Sequence, residues 1–394
     1  MSRGTARILA VGALSLAGLS CTAQLRERIE DLVEGYNSIQ SEGIFVSVDT
    51  GNDRQPGTRS LPKQTIQGAL QVLDELGVAG KVQVAEGHYL VEETLVVPAG
   101  VHLSGGYSSE DWSRQPALHP SILESAGADP VVSFADGATA STVLEDFTIV
   151  AAWTDSVTAV YCRDSSPTIR HNNIDASLGI QDSIGIFNSS ASPILDGNII
   201  NAGKGTESCW GIANTYSSPQ IRNNIIYHTG GGGAFLGIIN MNSSAAAIQN
   251  NMIHIGNRSE DVAIYSSSSH CVIENNILYS EPEEGIGIRE ADSGALPLRV
   301  HCNDIYGCQA VYDAHGVLKT SINDMEAYLL ASSVPVPSSG NGSTNPGFAG
   351  PLTHDYHLAG ASPLAGLDLT AAFTTDLEGT LRTDPWSVGA YEKD

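Results

Sequence analysis

The sequence predicts an all-β chain wound into a solenoid of stacked parallel strands, and three observations predict it. First, the pattern apolar-x-x-Asn-x-apolar occurs six times between residues 169 and 305. Its asparagines are Asn172, Asn198, Asn224, Asn251, Asn276 and Asn303, spaced 26, 26, 27, 25 and 27 residues apart. A fixed period of this size marks stacked supersecondary units. Second, each repeat holds short apolar-alternating runs split by Ser, Pro, Gly and Asn, which is the chemistry of strands and turns rather than helices. Third, Asn tolerates a left-handed turn. Its amide carries both a donor and an acceptor, so identical residues one strand spacing apart (~4.8 Å) can bond into a ladder.

Taken in order, residues 1–20 read as an export signal. Arg3 and Arg7 precede the apolar run 8–19, which is too short for a membrane span. Residues 21–42 place Leu25, Ile29, Leu32, Tyr36 and Ile39 at helical spacing, so a tether helix is expected there. Residues 43–394 form one β-solenoid domain. Within it, 43–75 is an N-terminal cap whose helix presents Ile66, Leu70 and Leu73. Residues 76–315 are coils, with strands expected at 82–84, 95–97, 101–103 and 131–134, and 316–394 is a C-terminal cap segment. Leu144-x-x-Phe147-x-Ile149 keeps the repeat with Phe in the Asn place. The insertion 106–120, with Tyr107, Trp112 and Arg114, reads as structural cover, and Asp49, Asn52 and Asp53 read as a turn rather than a calcium loop.

The repeat pattern resembles the right-handed parallel β-helix of the pectin-lyase-like superfamily. In that fold the Asn ladder occupies the tight turn between the second and third sheets, which implies a register for the rest. Pro167, Pro193 and Pro219 lie five residues before their asparagines, behind a Ser-rich turn column. Val160, Ile186, Ile212, Ile239 and Ile264, twelve before, form the inward column of the first sheet. Alternation then predicts an outward row of Tyr161, Phe187, Ala213, Asn240 and Tyr265, continued by Arg289 and Tyr312. A second outward row of small residues is expected at Ala159, Gly185, Gly211, Ile238, Ala263 and Gly287. Aromatic rings beside small residues make a shallow groove for a polysaccharide, so Tyr161, Phe187, Asn240, Tyr265 and Tyr312 are the expected ligand-binding residues.

Two further segments carry resemblances. Cys21 after Leu19-Ser20 resembles a bacterial lipoprotein signal, which implies lipidation at Cys21 and membrane attachment through that lipid alone. Asn345-Pro346-Gly347-Phe348, Asp355-Tyr356-His357-Leu358, Ser362-Pro363-Leu364, Asp376 to Gly379, Arg382 and Gly389-Ala390-Tyr391-Glu392 resemble a terminal motif of bacterial surface β-helix proteins, the choice-of-anchor Q type. That likeness implies a folding role for its Asp, Arg and Tyr.

The formal net charge of −25 repels phosphate backbones and argues against nucleic-acid partners. Beside the groove lie Asp182, Glu207, Glu260, Asp261, Glu283 and Glu284, with Arg163, Lys204 and Arg289 as nearby cations. In lyases of the resembled superfamily, acids bind calcium and an Arg removes a proton; in its glycosidases, paired carboxylates do acid–base work. The alternative to binding is therefore a polysaccharide lyase or glycoside hydrolase, with Arg289, Asp182 and Glu207 catalytic and Asp261 and Glu284 holding calcium. A structural or adhesive surface protein is the third reading. Cys162, Cys209, Cys271, Cys302 and Cys308 share no column and are expected as isolated thiols, although Cys302 and Cys308 are close enough to pair. A monomer is expected.

Overall fold

The computed structural model describes residues 37, 39–256, 258–280, 283–358, 374–382 and 387–392. The export signal, Cys21, most of the tether helix and Ser362-Pro363-Leu364 lie outside the described residues. The described chain winds through about nine turns, each contributing one strand to three parallel sheets. The long strands Ser156–Arg163, Asp182–Ser189, Ser208–Thr215 and Ala234–Met241 belong to the first sheet. Three-residue strands such as Thr168–Arg170 build the second, and strands such as Asn173–Asp175 build the third.

The ladder forms in the turn between the second and third sheets. The Asn172 N–H donates to Asn198 Oδ1 (3.1 Å), and the same bond recurs from Asn198 to Asn224, Asn224 to Asn251, Asn251 to Asn276 and Asn276 to Asn303. Each Nδ2 also donates to the next Oδ1, so every amide bonds both ways. The ladder extends one rung at each end. Phe147 N–H donates to Asn172 Oδ1, and Asn303 N–H to Asn341 Oδ1. Asn341 escapes the period because α2 (Ile322–Leu330) intervenes.

Two other ladders brace the coil. In the turn leaving the first sheet, Ala191 N–H donates to Ser217 Oγ, Ser217 N–H to Ser244 Oγ and Ser244 N–H to Ser269 Oγ. Inside the first sheet, Asn188 Nδ2 donates to Asn214 Oδ1 (2.8 Å) and Asn214 Nδ2 to Asn240 Oδ1 (3.0 Å), all three fully buried.

On the second sheet, Glu145, Arg170, Asp196 and Arg222 are successive register partners and alternate in charge. Glu145 also faces His102 and Arg114 of the insertion. Burial raises its pKa, but the His102 hydrogen bond and the Arg114 and Arg170 charges outweigh burial and hold it down at about 2. The insertion covers the sheet as expected, with Trp112 edge-on to Phe45 at 4.8 Å.

Both ends of the described coil are closed by helices. In α1 (Ile66–Leu76), Ile66, Ala69, Leu70 and Leu73 are buried against the first coil. Thr65 caps it, and Asp53 accepts from Gln64 N–H and Thr65 N–H, so that carboxylate serves a turn. At the other end α2 buries Met325 and Leu329 in the solenoid core. The described C-terminal motif segments strap the flank of the third sheet, where Tyr356, Leu358, Val388, Ala390 and Tyr391 bury the outward Ile225, Met252, Ile277 and Tyr279.

Candidate functional site

The first sheet's outer face carries most of the side chains picked out from the sequence, and its register corrects several. The inward column is Val160, Ile186, Ile212, Ile238, Ile264 and Ile288, so Ile238 replaces Ile239. The cause is one extra residue in the following turn. Asn242 and Ser243 are both left-handed there, where neighbouring coils have only Tyr216 or Ser268. Counting twelve back from Asn251 therefore stops one residue short of Ile238.

That slip moves Asn240 inward, into the buried amide ladder, and brings Ile239 into the outward row. Tyr312 also leaves the row. It pairs with Ile288, is fully buried, and bonds its hydroxyl to Glu290. The outward row is thus Tyr161, Phe187, Ala213, Ile239, Tyr265, Arg289 and Asp313.

The expected small-residue row is not outward either. Ala159 and Ala263 belong to the core, so two consecutive residues face in and strict alternation breaks at a bend. The reason is steric. A Cβ on Gly185, Gly211, Gly237 or Gly287 would sit 2.3–2.6 Å from Cγ2 of an Ile on the third sheet, so the column must be small. Because of the bend, the second outward row lies two residues before the inward column and reads Thr158, Ile184, Trp210, Leu236, Val262, Ile286 and Ala310. Trp210 lies one residue before the expected row of small residues, at position minus fourteen from Asn224.

The resulting face is apolar. Tyr161 and Phe187 stack at 5.3 Å with planes 23° apart. Farther along, Leu236, Val262, Ile286, Ala310 and Tyr265 form a cluster separate from the solenoid core. Tyr161, Phe187, Trp210 and Tyr265 are half-buried. Trp153, on the turn entering this sheet, is 74% exposed.

The charged candidates do not converge. Asp182 accepts from Ser156 Oγ and Ser208 Oγ on both neighbouring strands and so brackets three coils. Glu207 is exposed in the turn before its strand. Arg289 is held by Asp313 at 2.8 Å. Four strand spacings separate Asp182 from Arg289, roughly 19 Å, too far for one reacting bond. Arg163 and Lys204 are exposed.

Asp261 faces inward, fully buried, with Oδ1 accepting from Phe235 N–H and Oδ2 lying 3.9 Å from His228 Nε2. Burial pushes its carboxyl up to about 6, and burial pushes His228 down to about 4. Glu284 is half-exposed in the turn before Ile286 and does not share that pocket. Among the described residues, no three His, Cys, Asp or Glu side chains gather as a metal site. The five described cysteines are free thiols, with Cys209 and Cys271 each raised to about 11 by burial.

Sheets, ladders and winding define a right-handed parallel β-helix protein. The model of one family matches residues 49–284, more than half of the chain, and the chain belongs to that family, described as a protein of unknown function (DUF1565). No curated protein sequence matches it. Among solved structures it is similar to the Dettilon tailspike protein gp208, at 13% identity and TM-score 0.37, covering 70% of this chain and 67% of that one. It is also similar to the A-module of the Azotobacter vinelandii mannuronan C-5 epimerase AlgE4, at 13% identity and TM-score 0.35, covering 70% and 99%. Pectate lyase Pel9A matches at 10% identity and TM-score 0.30, covering 89% and 96%. Likeness at these values carries no functional argument.

Proposed function

We propose that this is an exported cell-envelope protein, tethered through a lipid on Cys21, that binds polysaccharide along the outer face of its first sheet. The observation that carries the reading is the Tyr161–Phe187 stack, with Trp210 in the next row and Tyr265 farther along. Sugar rings pack their C–H faces on aromatic rings. Strands repeat every ~4.8 Å, a step comparable to one pyranose unit, so a glycan lying along the stack meets equivalent positions. The export and anchoring part rests on Arg3, Arg7, the apolar run and Cys21.

The test is retention on immobilised polysaccharides, neutral and uronate-rich, with and without calcium. Tyr161→Ala combined with Phe187→Ala is expected to weaken retention at least tenfold while the circular dichroism spectrum is unchanged. Retention by no member of the panel would overturn the reading. An absorbance rise from unsaturated product would replace it with a lyase.

A further inference from the structure

A second site lies on a different face, at the C-terminal edge of the third sheet. Tyr279 and Tyr306 are register partners on neighbouring strands, with ring planes 16° apart and centroids at 6.2 Å. The strand Asp304–Tyr306 is the last of its sheet among the described residues, and beyond it the next turn contributes only a single parallel bridge, from Gly342 to Asp304. The half-buried Tyr306 ring lines an open cavity of about 1000 Å³ there. Phe348, from the strapping segment, forms a wall by packing edge-on against Tyr279 at 5.2 Å. Asn345 Nδ2 donates to the Tyr306 hydroxyl at 3.4 Å and helps to fix the ring.

The rim chemistry narrows the ligand. Glu283, Gln309, Thr320 and Asn345 line the cavity and are exposed, offering a carboxylate, two amides and a hydroxyl. Among the described lining residues there is no Lys, Arg or His, so nothing there would neutralise an anion. Aromatic faces give an apolar floor for ring C–H groups, and the rim amides and carboxylate can pair with hydroxyls from the side.

We propose that this cavity binds one neutral pyranose unit, with the Tyr306 ring as its platform and Glu283, Gln309 and Asn345 as its hydroxyl partners. Coupling the last strand to the strap is what makes the site, since neither Tyr306 nor Phe348 alone encloses it. The inference does not depend on the first-sheet reading.

The test is saturation-transfer NMR on the full chain with methyl glucoside, galactoside and mannoside, and with galacturonic acid as the anionic control. At least one neutral hexoside is expected to show transfer to its ring protons, and galacturonic acid none. Tyr306→Ala should cut the signal at least fivefold and Tyr306→Phe should keep it. Gln309→Ala, which alters an exposed side chain, should also weaken it, so a folding defect at Tyr306 would not decide the matter. The Tyr161→Ala, Phe187→Ala protein should bind the hexoside normally. No transfer from any hexoside overturns the proposal. So does a signal that survives both cavity variants, or one lost only in the first-sheet variant. Failure of the polysaccharide retention assay with hexoside binding intact would remove the first-sheet reading alone.

Discussion

Asn224 is held on both sides. Its Oδ1 accepts from Asn198 N–H and Nδ2, while its own Nδ2 donates to Leu195 O, Arg222 O and Asn251 Oδ1. Asn224→Ala strips these partners inside a fully buried turn, where an unmet polar group is expensive. A loss of roughly 2–5 kcal/mol is expected in urea unfolding. Asp261 behaves in the opposite sense. Burial raises its folded pKa from the ordinary 3.8 to about 6, so the stability it allows is full below pH 3.8 and falls as pH rises toward 6. Asp261→Asn keeps an acceptor for Phe235 N–H and removes the buried charge. It should raise stability by about 3 kcal/mol at pH 7 and change little at pH 3.5. Equal unfolding midpoints for the two proteins at pH 7 would refute this.

At the scale of elements, the strap docks through a column that the sequence displays without explaining. The residue before each ladder Asn is left-handed, and in three successive coils it is Asn: Asn223, Asn250 and Asn275. These extra amides reach outward. Asn223 donates to Thr375 O, Asn250 to Ser387 O and Gly389 O, and Asn275 to Ser387 O, while Arg382, buried in the strap, donates to Asn223 Oδ1. The Asn-Asn doublets thus mark the coils that the strap covers, and Arg382 acts as a positioning residue for folding. A second clamp is pH-sensitive. The Tyr356 hydroxyl lies 2.7 Å from His254 Nδ1 and 3.0 Å from His354 Nδ1. Burial lowers His254 from 6.5 to about 4 and lowers His354 too. A depressed histidine favours the neutral ring, so its contribution is present above pH 6.5 and lost as pH falls toward 4. Amide exchange at Tyr356 to Leu358, corrected for intrinsic rate, should speed up by roughly tenfold or more over that window. His254→Gln should flatten the dependence; an unchanged profile would sink the explanation.

At the scale of the whole molecule, each coil touches only its neighbours, so stability should be nearly a sum of adjacent-coil terms. Asn172→Ala and Asn276→Ala, four rungs apart, should add within about 0.5 kcal/mol, whereas Asn224→Ala and Asn251→Ala, which share hydrogen bonds, should not. That one-dimensional character also explains what was readable. The Asn column, the inward Ile column, the Ser turn column and Phe147 in the Asn place were legible because each recurs once per coil, and recurrence is a property of sequence. The facing of Ile239, Asn240 and the Ala159–Gly287 row is not legible, because the period carries no mark of a one-residue insertion after the strand or a bend within it. Nor is that of Tyr312, which lies beyond the last period. By itself, then, the sequence determined the solenoid, its rung spacing and the side chains that repeat with it. Only the tertiary structure decided the rest: that Asn240 and Tyr312 turn inward, that Asp182 and Arg289 stand too far apart to cooperate, and that the C-terminal segment straps a flank and completes a cavity with Tyr306. Those outcomes depend on contacts between residues far apart in the chain, and no local period encodes such contacts.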